Sequence, residues 1–255
     1  NRFEHWTSRN FGLSDAAEIF VLLAGFAAAL AFFTRFQSGQ SGSCWTASYK
    51  AIRRAGTLYG AHLLATIWVV ALFAAAAAIL GNPDYLDQIG IGPLVTDPIP
   101  GIIGLSFGGY QLGYFNILPM YVVLLLMLPA FMWLAARSIW LALAASAALY
   151  VATHALALTM PSYPLDGGWY FNPFAWQLLF VIGLCAGVAK LQGRELAYHP
   201  AVMVAALAYV VFGAVWAVGS LGGVIGSGVL PEAVGTLHKA NLPLTRLLHV
   251  LALAY

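Results

Sequence analysis

At 255 residues, 62% hydrophobic and only 8% charged, with a mean hydropathy of +0.84, the chain carries far too little charge to cover the surface of a soluble domain of that size. That excludes a soluble enzyme and points to a polytopic membrane protein. The net charge of +2 says little by itself, and no nucleic-acid partner is expected.

Apolar runs are spread evenly with no long polar insert, so residues 1–255 read as one integral-membrane domain. The first span is expected from Asp15 to Phe36 and ends on Arg35. A Gly/Ser-rich, then basic, stretch from Gln37 to Arg54 leads to a second span, Gly56 to Leu80. The connection Gly81 to Gly113 is rich in Gly and Pro and carries Asp84, Asp87 and Asp97 but no Lys or Arg. Further spans are expected over Asn116 to Ala136, Ser138 to Met160, Pro173 to Ala189 and Pro200 to Ile225, and a seventh begins near Thr245. The fold class is therefore an all-α transmembrane bundle of six complete spans and a truncated seventh. Each complete run has about the length a helix needs to cross ~30 Å of hydrocarbon. The chain also reads as cut at both ends, since it opens on Asn1 rather than Met and stops within a rising apolar helix at Tyr255.

Charge sets the orientation. Arg35, Lys50, Arg53, Arg54, Arg137, Lys190 and Arg194 fall on one side of the alternation, and Asp84, Asp87, Asp97, Asp166 and Glu232 on the other. The basic side is expected to be cytoplasmic, so the acidic connection faces outward. Gly56/Gly60, Gly183/Gly187 and Gly222/Gly226 have the spacing that lets helix backbones approach closely. Cys44 and Cys185 form neither a metal spacing nor a disulfide framework and read as packing residues.

Several polar residues need more than a topological account. Asp15 and Glu18, three apart at the mouth of the first span, suit a capping box at the positive end of the helix dipole. A capped carboxylate can also orient a catalytic base or bind a hydroxyl-bearing substrate where the dielectric is low. Asn116 and Tyr121 lie at the lip of the third span, where an unpaired amide is costly. In Trp169-Tyr170-Phe171-Asn172-Pro173-Phe174-Ala175-Trp176-Gln177, Asn172 reads as an N-cap and Gln177 needs a partner inside the bundle. Aromatics near such a polar mouth suit stacking on sugar rings, although an interfacial belt also accounts for Trp169 and Tyr170. His62, His154 and His249 lie within spans with no paired spacing, so no metal site is expected. His154 suits a general base or, more simply, helix packing. Lys50, Arg53 and Arg54 serve as an orientation signal, and the same charges would hold a phosphate-rich ligand such as coenzyme A. Lys239 and Arg246 break the positive-inside pattern, which suggests that they hold an anionic group or pair with Asp15 or Glu18.

Four stretches carry a family likeness: Ser14-Asp15-Ala16-Ala17-Glu18-Ile19-Phe20-Val21-Leu22-Leu23-Ala24-Gly25-Phe26; Tyr114-Phe115-Asn116-Ile117-Leu118-Pro119-Met120-Tyr121; Phe171-Asn172-Pro173-Phe174-Ala175-Trp176-Gln177; and Lys239-Ala240-Asn241-Leu242 with Arg246-Leu247-Leu248-His249. Together they resemble the OpgC family, bacterial inner-membrane proteins linked to succinylation of osmoregulated periplasmic glucans and related to the wider membrane acyltransferase-three group. The resemblance implies an enzyme that takes acyl groups from a cytoplasmic acyl-CoA co-substrate, succinyl-CoA above all, with no tightly bound cofactor, and passes them to hydroxyls of a periplasmic glucan. In the wider group the essential histidine lies on a first helix ahead of the point where this chain begins, and Ala24 stands where relatives often carry Ser.

The mechanism this implies has that histidine, oriented by Asp15 or Glu18, deprotonating a sugar hydroxyl that attacks the thioester. Asn116, Tyr121 or Gln177 would stabilise the oxyanion, Asn172 would join them in holding substrate, Arg53 and Arg54 would lie near the CoA phosphates, and Lys239 and Arg246 near the succinyl carboxylate or the glucan. The rival function is a transporter or flippase for a glycan or lipid-linked sugar, whose signature is an inverted repeat with broken helices; no such repeat is seen. A structural membrane subunit would explain the glycine pairs but not Lys239 and Arg246.

Overall fold

A computed structural model describes residues 12–37, 42–194, 198–222 and 239–255, and among these the long elements are all helical. They are α1 (Ala16–Gln37), α2 (Ser43–Leu80), the short α3 (Asp84–Asp87), α4 (Gly92–Thr96) and α5 (Pro98–Ser106), then α6 (Ile117–Arg137), α7 (Ile139–Ala155), α8 (Pro173–Leu191), α9 (Pro200–Gly222) and α10 (Leu244–Ala254). Five of them, α1, α2, α6, α8 and α9, are long and apolar enough to cross a membrane, so the chain is a multi-pass membrane protein with the expected all-α fold. The chain divides into two compact units, Asn1–Ala31 with Leu179–Tyr255, and Phe32–Leu178.

In the first unit, α1 and α8 pack backbone to backbone. A Cβ on Gly25 would strike the carbonyl of Phe180, one on Gly183 the carbonyl of Leu22, and one on Gly187 the Cβ of Ala29. The expected close-packing role of Gly183/Gly187 is thus seen, and it brings in Gly25 as well. α10 packs against α9, with the Tyr209 hydroxyl donating to the Thr245 carbonyl at 3.1 Å. Gly222/Gly226 and the last expected residues of the sixth span reach beyond the described residues.

In the second unit α2 runs along α6, and α6 along α7. Three expectations need correcting here. α2 begins at Ser43 and has 38 residues, so Lys50, Arg53 and Arg54 lie on a helix rather than in a loop. Its buried stripe of Ala47, Ala51, Ala55, His62 and Thr66 recurs about once per turn, which holds the polar N-terminal half helical although its mean hydropathy is low. The fourth span ends at Ala155 rather than Met160, because Ala157 adopts positive φ (50°) and Leu158 N–H bonds back to the Thr153 carbonyl at 3.0 Å, which closes the helix as a turn. Gly56 and Gly60 have nothing within 4 Å of a Cβ placed on them and make no close helix contact. Cys185 is buried as expected, while Cys44 is exposed.

The connection from Gly81 to Gly113 is also more ordered than its Gly/Pro content suggests. It carries α3, α4 and α5 and buries Ile89, Ile91, Tyr110 and Leu112 as a small core, against which Val69, Val70 and Phe73 of α2 pack. Burial pushes the Tyr110 phenol up to about 12, and its hydroxyl donates to the Gly90 carbonyl.

Candidate functional site

The first unit gathers six ionisable or nucleophilic residues around the start of α1. Asp15 caps the helix: its Oδ1 accepts the Ala17 N–H at 2.9 Å, and Glu18 Oε2 reaches back to accept the Asp15 N–H at 3.0 Å. This is the reciprocal capping box expected from the spacing. Both carboxylates also meet cations from the far end of the chain. Lys239 Nζ forms an ion pair with Asp15 Oδ2, Arg246 Nε bonds Glu18 Oε1 at 2.5 Å, and Arg246 Nη2 lies 3.5 Å from Asp15 Oδ2. Lys239 and Arg246, anomalous for topology, are therefore counter-ions of the acidic pair.

Burial gives this cluster its stakes. Glu18 is 0% exposed and Arg246 5%, and a charge held away from water is tolerable only when its partner is in place. Burial of Asp15 favours its neutral form, but hydrogen bonds from Lys239 and from the Ala17 N–H, together with the Lys239 charge, outweigh it and hold the carboxyl at about 2. Both carboxylates are thus paired and fixed, and a carboxyl group held in this way orients its neighbours better than it abstracts protons.

Those neighbours include two residues whose joint role the sequence did not disclose. Ser14 Oγ lies 2.7 Å from His249 Nδ1, and both side chains are buried. The imidazole sits in a slot made by glycines: a Cβ on Gly12 would meet His249 Cε1 at 2.6 Å, and one on Gly213 would meet Nε2 at 2.7 Å. Among the described residues, His249 Nε2 and Arg246 Nη2 are buried with no hydrogen-bond partner. Arg246 and His249 lie three apart on α10 and so share one helix face. That spacing was the available signal, but one histidine without a second ligand-type residue nearby reads as packing.

The remaining expected site residues lie in the second unit. Asn172 caps α8, with Oδ1 accepting the Phe174 N–H at 3.1 Å, and its Nδ2 donates to the Leu158 carbonyl at 2.6 Å. Gln177, 0% exposed, accepts the Ser146 hydroxyl at 2.6 Å and donates to the Ser146 carbonyl at 2.8 Å, which pins α8 to α7. Tyr121 is half-buried in α6, and Arg53 and Arg54 are exposed on α2. Asn116 precedes α6 without a side-chain cap bond and lines a cavity. His154 bonds the Tyr150 carbonyl of its own helix at 2.9 Å, as a packing histidine would. Among the described residues no group of three His, Cys, Asp or Glu could hold a metal ion.

A family model described as OpgC protein matches residues 1–255. No curated protein and no solved structure matches the chain.

Proposed function

The chain belongs to the OpgC family, and on that premise we propose that it is a bacterial inner-membrane O-acyltransferase that moves succinyl groups from cytoplasmic succinyl-CoA to hydroxyls of a periplasmic glucan. The observation that carries this reading is the buried Ser14–His249 contact beside the charge-balanced Asp15, Glu18, Lys239 and Arg246 cluster. Acyl transfer needs a proton acceptor for the attacking hydroxyl and a donor for the oxyanion, and this cluster offers both.

His249, in place of the earlier-helix histidine that the resemblance implied, is the proposed base. Its Nε2 is packed against Gly12 and Gly213, so the proton arrives at Nδ1 through the Ser14 hydroxyl, and the acceptor oxygen attacks the thioester carbonyl as that proton leaves. Arg246 Nη2, buried and without a hydrogen bond, is the proposed donor to the carbonyl oxygen as it becomes negative. The thiolate of CoA then departs and recovers the proton from His249. Asp15 and Glu18 are positioning residues: they hold Arg246 and Lys239 in place and offset the positive charge of both. Lys239 and Arg246 also suit the distal carboxylate of a succinyl group. Asn116 and Tyr121 are assigned to the acceptor, and Arg53 and Arg54, exposed on one turn of α2, to the CoA phosphates. The amides of Gln177 and Asn172 are already engaged within the second unit.

The test is transfer of labelled succinyl groups from succinyl-CoA to glucan by membranes carrying the full-length protein. His249→Gln keeps a hydrogen-bond partner for Ser14 and is expected to lower transfer by about 10²–10⁴-fold. Full transfer by this variant would remove the assignment.

A further inference from the structure

We propose that the cavity between the 109–116 and 162–170 segments of the second unit binds a neutral pyranose unit of the glucan, an assignment that rests on the acyltransferase reading only for the identity of the sugar. The cavity has a volume of about 210 Å³ and is lined by Gln111, Asn116, Ser162, Asp166, Trp169 and Tyr170, among others. It is smaller than the roughly 300–1,000 Å³ typical of drug-sized pockets, which fits one ring rather than a folded oligosaccharide.

Its walls are held independently of any ligand. Tyr163 N–H donates to the Gly109 carbonyl at 3.1 Å and joins the two segments, while Ser162 N–H to Gly167 at 3.1 Å and Trp169 N–H to Met160 at 3.0 Å close the second segment on itself. The Trp169 indole N–H donates to the Pro161 carbonyl at 3.2 Å, which fixes the ring. Beneath the first segment lies the core of Ile89, Ile91, Tyr110 and Leu112.

The polar groups facing this space are not engaged with one another. Gln111 uses Nε2 on the Gly108 carbonyl at 3.2 Å, yet its Oε1 is buried with no partner. Asn116 makes no cap bond, and the side chains of Ser162 and Asp166 have no hydrogen bond or ion pair among the described residues. A buried acceptor without a donor is unfavourable, and a hydroxyl-bearing ligand would supply one. Among the described residues no Lys or Arg lines the cavity, which argues against a phosphate or carboxylate ligand. A metal ion is poorly served by one carboxylate. What remains is a ligand that donates several hydrogen bonds at its rim and offers a C–H face to the half-exposed Tyr170 ring and the Trp169 indole, as a pyranose does.

The test is titration of the full-length protein in lipid nanodiscs with a linear glucose tetrasaccharide, followed by calorimetry and tryptophan emission. Saturable binding is expected, weakened at least tenfold by Gln111→Leu and by Asp166→Asn and also by Tyr170→Ala, with melting temperatures unchanged. His249→Gln should bind as the wild type does. No saturable binding by the wild type, or equal affinity in all three cavity variants, would overturn the site. Sugar binding without acyl transfer under any condition would instead sink the acyltransferase reading and leave the site standing, while normal transfer with an unchanged KM for glucan in the cavity variants would do the opposite.

Discussion

The buried cluster of the first unit and the open cavity of the second treat polar groups in opposite ways. In the first, the carboxylates and the hydroxyl are answered from within, Asp15 by Lys239, Glu18 by Arg246 and Ser14 by His249, and Arg246 Nη2 and His249 Nε2 are the atoms left over among the described residues. In the second, the cavity side chains Gln111, Asn116, Ser162 and Asp166 are held in place by their backbones but have little to bond to. An internally satisfied cluster is suited to generating a fixed field, because it does not reorganise when charge develops. An unsatisfied one is suited to recognition, because a ligand supplies what the fold omitted.

The largest effect that separates the two should come from breaking one buried pair. Arg246→Leu leaves Glu18, 0% exposed, without its counter-ion, at a cost of about 3–5 kcal/mol. Thermal denaturation in detergent should show a melting temperature far below that of the wild type, and the double variant Arg246→Leu with Glu18→Leu should recover most of it. Asp166→Asn, a carboxylate loss in the second unit, should leave the melting temperature within error.

Glycines offer a second contrast. Gly25→Ala places a Cβ against the Phe180 carbonyl and should destabilise by about 1–3 kcal/mol or more through overpacking. Gly56→Ala, with open space around it, should stabilise α2 by about 0.5–1 kcal/mol through helix propensity. The same chemical change thus has opposite signs, readable as shifts of melting temperature in opposite directions. Gln177→Leu, which abandons the Ser146 hydroxyl inside the second unit, should cost about 1–3 kcal/mol.

The smallest effect concerns pH. Asp15 is held at about 2 in the folded protein, against 3.8 for the free group. A lowered carboxyl contributes stability that is fully present above the unfolded value and disappears as pH falls through the folded one. The melting-temperature gap between wild type and Asp15→Asn should therefore stay constant from pH 7 to about 5, and close between about 4 and 2.

What the chain discloses by itself follows from how local each feature is. The apolar runs of α1, α6 and α8 and the Asp15–Glu18 capping box are written in consecutive residues, and both are seen. The pairing of that box with Lys239 and Arg246 was legible because two cations broke a topological rule that the rest of the chain obeys. The start of α2 was hidden because hydropathy averages over Ser43–Arg54, while the four-residue spacing of Ala47, Ala51 and Ala55 carries the helix. His249 gave no sign in isolation, since its partner Ser14 is 235 positions away. The cavity was equally obscure: Gln111 and Asp166 lie in separate connections, and only the Tyr163–Gly109 hydrogen bond brings those connections into register.

The central claim is that the buried cluster at the start of α1 is where an acyl group changes hands. It is tested most directly by measuring succinyl transfer from labelled succinyl-CoA to glucan by His249→Gln beside the wild type, in samples matched for folded protein by their melting curves. The account predicts transfer lower by about 10²–10⁴-fold at an unchanged melting temperature; transfer equal to the wild type in a well-folded variant would contradict it.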